Sequence, residues 1–367
     1  MRIDSESLRD LARGAGILGS GGGGDPYYSL LLSEAALMRC NGHDLIPLTE
    51  FSDNSWIVPC GWIGAPTVSI EKLPSGKEVA AGLRRLEALL GKKIDAVMPI
   101  EIGGGNGLAP FIAAAELGVP VADADGMGRA FPESQMAIFN IRRLKACPSV
   151  VTASCGTIAT IETDNNLTHE RVARGLSVSL GGIAHMVEYP LSGQEAQDHA
   201  IQGSISAAIE AGASIRRARA SGTDPFEALT EALKRTTLYP YATLLFEGKI
   251  VDLERETRGG FSVGKVLVSS FDAKNSMQIV FQNENLVARR NGEICAMTPD
   301  LITVMDHESA EAITTEKLRF GQRVRIIGIA APRMLRDPNA LSFLGPRAFG
   351  LDIDFEPIEI LNEGAVA

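Results

Sequence analysis

No stretch of this sequence approaches the roughly 20 consecutive apolar residues that a membrane-crossing helix needs. No run of Lys and Arg with interleaved aromatics is present either. With 35 basic against 45 acidic residues and a net charge of −10, nucleic acid is disfavoured as a partner. The opening residues MRIDSESLRD are charged and form no apolar signal core, so a soluble, cytoplasmic protein with no membrane association is expected. Cysteine is scarce and odd in number: Cys40, Cys60, Cys147, Cys155 and Cys295 are widely spaced and no Cys-x-x-Cys occurs. That argues against a disulfide framework and a Cys-only zinc site. H-E-x-x-H, G-x-S-x-G and the kinase motifs are missing.

Glycine, by contrast, is plentiful. The 367 residues include 38 Gly, with no repeat period, which points to tight turns and close backbone approaches. The length predicts two domains. In the first half, strand, helix and strand signals alternate: IDAVMPIE, then NGLAPFIAAAELG, then VPVADAD. This is βαβ grammar, and parallel pairing is its usual result. WIVPCGWIG reads as a short strand interrupted by Pro and Gly. The stretches THERVARGLSVSLGGIAHMVE and EAQDHAIQGSISAAIEAGASIRRARA read as helices, and from residue 245 short alternating segments predict strands. The expected fold is therefore α+β overall. An α/β N-terminal domain over residues 1–168 precedes a C-terminal domain over 169–367, helical to 240 and β-rich from 241. The final segment, LSFLGPRAFGLDIDF, is compatible with packing on either domain.

Three glycine-rich segments carry the candidate chemistry. GILGSGGGGDPYY, residues 16 to 28, lacks the Lys of a P-loop and ends in an acid that would repel phosphate. Asp25-Pro26 suits a helix N-cap. The run is either a helix-to-helix turn or a wall on which the N–H groups of Gly21, Gly22, Gly23 and Gly24, with Asp25, face a small ligand. PIEIGGGNGLAP places Glu101 at a strand's carboxyl end, where α/β sheets bind ligands. Gly103, Gly104, Gly105 and Asn106 follow it, Asn106 serving as a helix cap or a ligand contact.

VADADGMGRAFPES spaces Asp123 and Asp125 to share one face of an extended segment. Two close acids raise one pKa and create a general acid or base. They could also bind a divalent metal, or form a salt-bridged turn with Arg129. His185, three residues before Glu188 on an expected helix, is a further metal candidate, or a core histidine. His199 and Cys155 read as structural. Asp252, Glu254 and Glu256, near Arg255 and Arg258, read as a solvated strand edge.

These segments resemble a known family. GSGGGGDP, EIGGGNGLAPFIAAAELGVPVADADGMGRAFPE, VDLERETRGGF, TPDLITVMD, EKLRFGQRVRIIGIAAP and GPRAFGLD are similar to the S-methyl thiohydantoin desulfurase family, from about residue 5 to about residue 355. The resemblance implies two domains, the second rich in β structure, and a cyclic small-molecule substrate, a five-membered urea or thiourea. Water would add to the thio-substituted ring carbon, and a thiol or sulfide would leave to give a hydantoin. On the matched motif positions, Asp123 or Asp125 would activate water, directly or through a divalent metal. The Gly21 to Gly24 and Gly103 to Gly105 amides would bind oxygen or sulfur, and Glu101, Asn106 and Arg129 would position the ring. The family occurs with hydantoinase and oxoprolinase proteins, so an accessory subunit of such a complex and a metal-dependent cyclic amidohydrolase are the alternatives. A homo-oligomer is also expected, since helices such as GSISAAIEAGA suit close packing within or between subunits.

Overall fold

Two sheets organise the chain. The structure, a computed structural model, describes residues 1–40, 42–65, 68, 72, 74–258 and 261–363. In the first half the strands are β1 (Arg2–Ile3), β2 (His43–Ile46), β3 (Trp56–Gly64), β4 (Ala96–Pro99), β5 (Val121–Ala122), β6 (Ala124–Asp125), β7 (Ser149–Thr152) and β8 (Ile158–Ile161). Then follow β9 (Ile183–Val187), β10 (Leu191–Ser192) and β11 (Ile201–Gln202). The first sheet runs β1-β2-β5-β4-β3-β9-β7-β8, with β10 also paired to β3. Strands β2, β5, β4 and β3 are mutually parallel. This is the outcome expected from the βαβ pattern: helix Lys77–Leu90 links β3 to β4, and helix Ala109–Leu117 links β4 to β5.

The second sheet is antiparallel, β16-β15-β14-β13-β12-β18-β17. Its members are β12 (Ala242–Arg258), β13 (Phe261–Ser269), β14 (Ser276–Gln282), β15 (Glu284–Arg290), β16 (Glu293–Met297), β17 (Leu301–Asp306) and β18 (Arg323–Ile329). It curls until β15 approaches β17. Its inward face forms a core of its own, including Ile250, Val268, Ile279, Phe281, Val304 and Ile326. The Asp252, Glu254 and Glu256 edge is solvated as expected, with Glu254 paired to Lys265 and Glu256 to Arg258. Gly259 and Gly260 of the same motif lie outside the described residues.

Three local expectations need correction. WIVPCGWIG is one continuous strand, because Pro59 lacks only an N–H and its carbonyl still accepts the Glu188 N–H at 3.3 Å. Within GGIAHMVE, Ile183–Val187 is strand β9, not helix, after a helix that ends at Ser179. His185 and Glu188 therefore do not share a helix face. The expected single helix from residue 195 is helix Gly193–His199, strand β11 and helix Ser204–Ser221. The middle of the chain thus supplies β9 to the first sheet, beside β3.

The small-residue helix packs within the chain. A Cβ on Gly14, in helix Ser5–Leu18, would lie 1.8 Å from the Ala208 carbonyl oxygen, and one on Gly212 would lie 1.9 Å from that of Asp10. Only glycine permits that approach. The final segment serves both halves. Leu344 joins the core of the first, while Leu351, Ile353 and Phe355 cover Leu286 and Met297 of the second.

Candidate active site

Strand β4 delivers the chain through Ile100 to Glu101, at the carboxyl end of a parallel strand. Glu101 is buried and bonded at both oxygens. Oε1 accepts the Asn106 Nδ2–H at 2.6 Å, and Oε2 accepts the Phe131 N–H at 2.9 Å. Asn106 is itself fixed, its Oδ1 accepting the Trp62 N–H at 2.6 Å. Burial pushes the Glu101 carboxyl up to about 8, against the pull of those two donors. A group that titrates there can take and return a proton near neutral pH.

Glu101 faces a cavity of about 110 Å³. Trp62, Ile63, Ile183 and Met186 from β3 and β9, with Met127 and Phe131, supply its apolar walls. Gly23, Gly24, Asp25, Gly105 and Asn106 line it as well. So do Glu188, which the sequence offered only as a helix neighbour of His185, and three acids that it did not single out: Glu133, Glu170 and Glu284. Glu188 and Glu284 are buried, each with Oε2 unpartnered among the described residues. Burial raises both carboxyls well above the usual range, reinforced by Glu170 and Glu101 at Glu188 and by Glu101 at Glu284. Glu170 accepts from the Ser134 N–H at 3.0 Å and pairs with Arg174. Behind Glu188, His169 Nδ1 stands 3.8 Å from its Oε2, and His169 Nε2 is 2.7 Å from Ser149 Oγ.

The two aspartates do not form a pair. Asp123 turns to helix Ser204–Ser221, where it accepts the Ser206 N–H at 3.0 Å and the Ser206 hydroxyl at 2.5 Å. It caps a helix from a distance and does not line the cavity. Asp125 lies in β6, and its Oδ2 accepts the N–H groups of Ile102, Met127 and Gly128 at 2.9, 3.0 and 2.7 Å. It ties the loop after Glu101 to the loop before Phe131. Burial moves its carboxyl up to about 6 despite those donors.

Arg129 pairs with neither aspartate. It is fully buried and donates to the carbonyls of Ala130, Pro299 and Asp300 at 3.0, 2.9 and 2.9 Å, joining the two halves. Its guanidinium lies 4.8 Å over the Phe131 ring and so backs a cavity wall without entering it.

The glycine run divides into two parts. Its first part docks on the second sheet: Ser20 O accepts from Asn285 N at 2.8 Å and Gly21 O from Thr315 N at 2.9 Å. A Cβ on Gly22 would lie 2.0 Å from Glu284 Oε1. Gly21 and Gly22 thus make room for the second half, and neither lines the cavity. The two glycine loops interlock. Gly105 N donates to Gly23 O at 2.9 Å, and a Cβ on Gly104 would lie 2.4 Å from Gly23. Gly103 and Gly104 are packing positions, leaving Gly23, Gly24 and Gly105 on the cavity surface. Asp25 caps helix Pro26–Leu37 through the Tyr27 N–H at 3.1 Å and pairs with Lys317 at the cavity edge.

The residues expected to hold a divalent metal, Asp123, Asp125 and His185, do not form a ligand cluster among the described residues. Both Asp123 oxygens serve Ser206. His185 is buried edge-on against Trp62, in a setting that lowers its pKa to about 3. Among the described residues, no three His, Cys, Asp or Glu side chains converge as ligands.

Two family models match the chain in succession: S-Me-THD-like, N-terminal domain, over residues 6–163, and S-Me-THD-like, C-terminal domain, over residues 163–358. A crystal structure of a protein from Chromobacterium violaceum is similar to this fold, with a TM-score of 0.81. The match covers 98% of this chain and 100% of that one, at 20% sequence identity. No curated protein matches.

Proposed function

The chain belongs to the S-Me-THD-like family, and from that premise we propose that it hydrolyses an S-methyl thiohydantoin-type ring to a hydantoin and a thiol. The observation that carries this reading is Glu101: a buried carboxyl held by two donors beside an apolar-walled cavity and titrating near neutrality.

Water attacks the ring carbon bearing sulfur, and the Glu101 carboxylate takes one of its protons. Glu188, whose carboxyl burial raises well above the usual range, gives a proton to the ring nitrogen as the C=N bond opens. The tetrahedral carbon then collapses. The C–S bond breaks, the departing thiolate takes the proton held by Glu101, and the new carbonyl's hydroxyl proton returns to Glu188. The net change is substrate plus water to hydantoin plus thiol, with both carboxyls restored. Trp62 and Phe131 are aromatic side chains among the cavity's lining residues, suited to packing against a flat ring. Asp125 is a positioning residue, since it holds the two loops that carry Glu101 and Phe131. The test is incubation of the purified chain with an S-methyl thiohydantoin, following thiol by a colorimetric reagent and hydantoin by chromatography. Stoichiometric release of both is expected; a ring left intact would refute the reading.

A further inference from the structure

Part of the cavity wall comes from a one-residue turn in the second half of the chain. Gln282 of β14 pairs with Glu284 of β15, and Asn283 alone joins them, with φ of +58°. Most residues avoid that region, whereas Asn tolerates it. Asn283 is only 6% exposed, and it lines the same cavity as Glu101.

The turn is held firmly. The Asn283 N–H donates to Ser262 O at 2.7 Å, its Oδ1 accepts the Ser262 N–H at 2.8 Å, and its carbonyl accepts the Thr315 hydroxyl at 2.6 Å. A backbone N–H can only donate, so oxygen is the amide end that faces Ser262 and Nδ2 is the end left over. Nδ2 has no hydrogen-bond partner among the described residues, and unlike Glu188 Oε2 and Glu284 Oε2 it is not one of the partnerless atoms sealed from solvent. The other amide at the cavity has no hydrogen to spare, since Asn106 Nδ2 donates to Glu101 Oε1 at 2.6 Å and to Trp62 O at 3.4 Å.

An uncharged donor on a fixed turn recognises an acceptor on the ligand. It also rejects a ligand of the same shape that leaves the N–H groups covered and unpaired. A cavity of about 110 Å³ holds one small ring. A ring whose sulfur-bearing carbon meets Glu101 therefore turns another edge toward Asn283.

We propose that Asn283 Nδ2 donates to the ring carbonyl that desulfuration leaves in place, so that a turn of the second half distinguishes rings with that carbonyl from rings without it. The assignment rests on the desulfuration reading of this cavity and adds to it a residue that determines specificity.

Calorimetric titration of the full chain with hydantoin and with 2-imidazolidinone, which lacks the second carbonyl, tests this. The parent should bind hydantoin at least about fivefold more tightly. In Asn283→Gly, which keeps the positive φ and drops the side chain, that preference should fall to within about twofold while 2-imidazolidinone binding is retained. Asn283→Ala provides a second variant without the amide and should behave alike. A merely structural role would weaken both ligands equally and would overturn the assignment. So would a parent that binds neither ligand or shows no preference, or a preference that survives in folded Asn283→Gly. Loss of the preference in the variants, without thiol release from an S-methyl thiohydantoin by the parent, would leave the assignment standing and remove the desulfuration reading. Thiol release with the preference unchanged in the variants would do the reverse.

Discussion

Asn106 bridges Glu101 and Trp62: its Nδ2 donates to Glu101 Oε1 at 2.6 Å while its Oδ1 accepts the Trp62 N–H at 2.6 Å. One amide thus ties the candidate base to the strand that supplies an aromatic wall. Replacing it with Ala leaves a buried carboxyl oxygen and a backbone N–H without partners, at a cost of about 1–3 kcal/mol for each. Because the Asn106 donor lowers the Glu101 pKa, its loss raises that pKa further. For Asn106→Ala the rising limb of the kcat/KM profile, expected near pH 8 in the parent protein, should move to higher pH. An unmoved limb in a folded variant would detach Asn106 from Glu101.

Glu101 also links stability to pH. Its carboxyl titrates near 8 in the folded chain against an ordinary 4.5, so the folded state holds the proton more tightly than the unfolded state. Its contribution is fully favourable below about pH 4.5 and is lost as pH rises toward 8. Glu101→Gln removes this loss. The Tm of the variant, compared with that of the parent by calorimetry, should gain steadily between pH 5 and pH 8. A constant Tm difference would contradict the raised pKa.

The two aspartates should separate cleanly. Asp123→Ala removes a helix cap at Ser206 and should cost about 0.5–2 kcal/mol in urea unfolding, with thiol-release turnover within about twofold of the parent. Asp125→Asn disturbs the acceptor for three loop N–H groups. It should lower kcat by about 100-fold, the scale of a small misplacement at a reacting centre. Unchanged desulfurase turnover in folded Asp125→Asn would remove it from the mechanism.

Two glycines make a matched stability test. Gly175 lies exposed in helix Asn166–Ser179, and an added Cβ there meets nothing within 4 Å. Gly175→Ala should therefore stabilise by about 0.5–1 kcal/mol. Gly104 has φ of +65°, and its Cβ would collide with Gly23. Gly104→Ala should lose at least about 2 kcal/mol from backbone strain and displaced packing. Equal Tm shifts would show that the two loops do not interlock.

The parallel strands, the βαβ units and the β-rich second half were legible in the sequence, because hydrophobic period and turn residues are local signals. Glu101 was legible for the same reason, as an acid placed where a parallel strand ends. The Asp123 and Asp125 pairing was not. Spacing shows which residues could share a face, but tertiary neighbours choose the partners, and Ser206 takes Asp123 while three loop amides take Asp125. Glu170, Glu188 and Glu284 reach the cavity from three distant segments, and no local pattern joins them. The glycine run was half legible. Its capped helix is where Asp25-Pro26 indicated, whereas its first glycines serve a contact with Glu284, Asn285 and Thr315 in the second half of the chain.

The most direct test of the account is the initial rate of thiol release from an S-methyl thiohydantoin by the parent chain and by Glu101→Gln at pH 8, each first shown to be folded by circular dichroism. The account predicts measurable turnover by the parent and a loss of about 100- to 10,000-fold in the variant. Equal rates for the two proteins would contradict it.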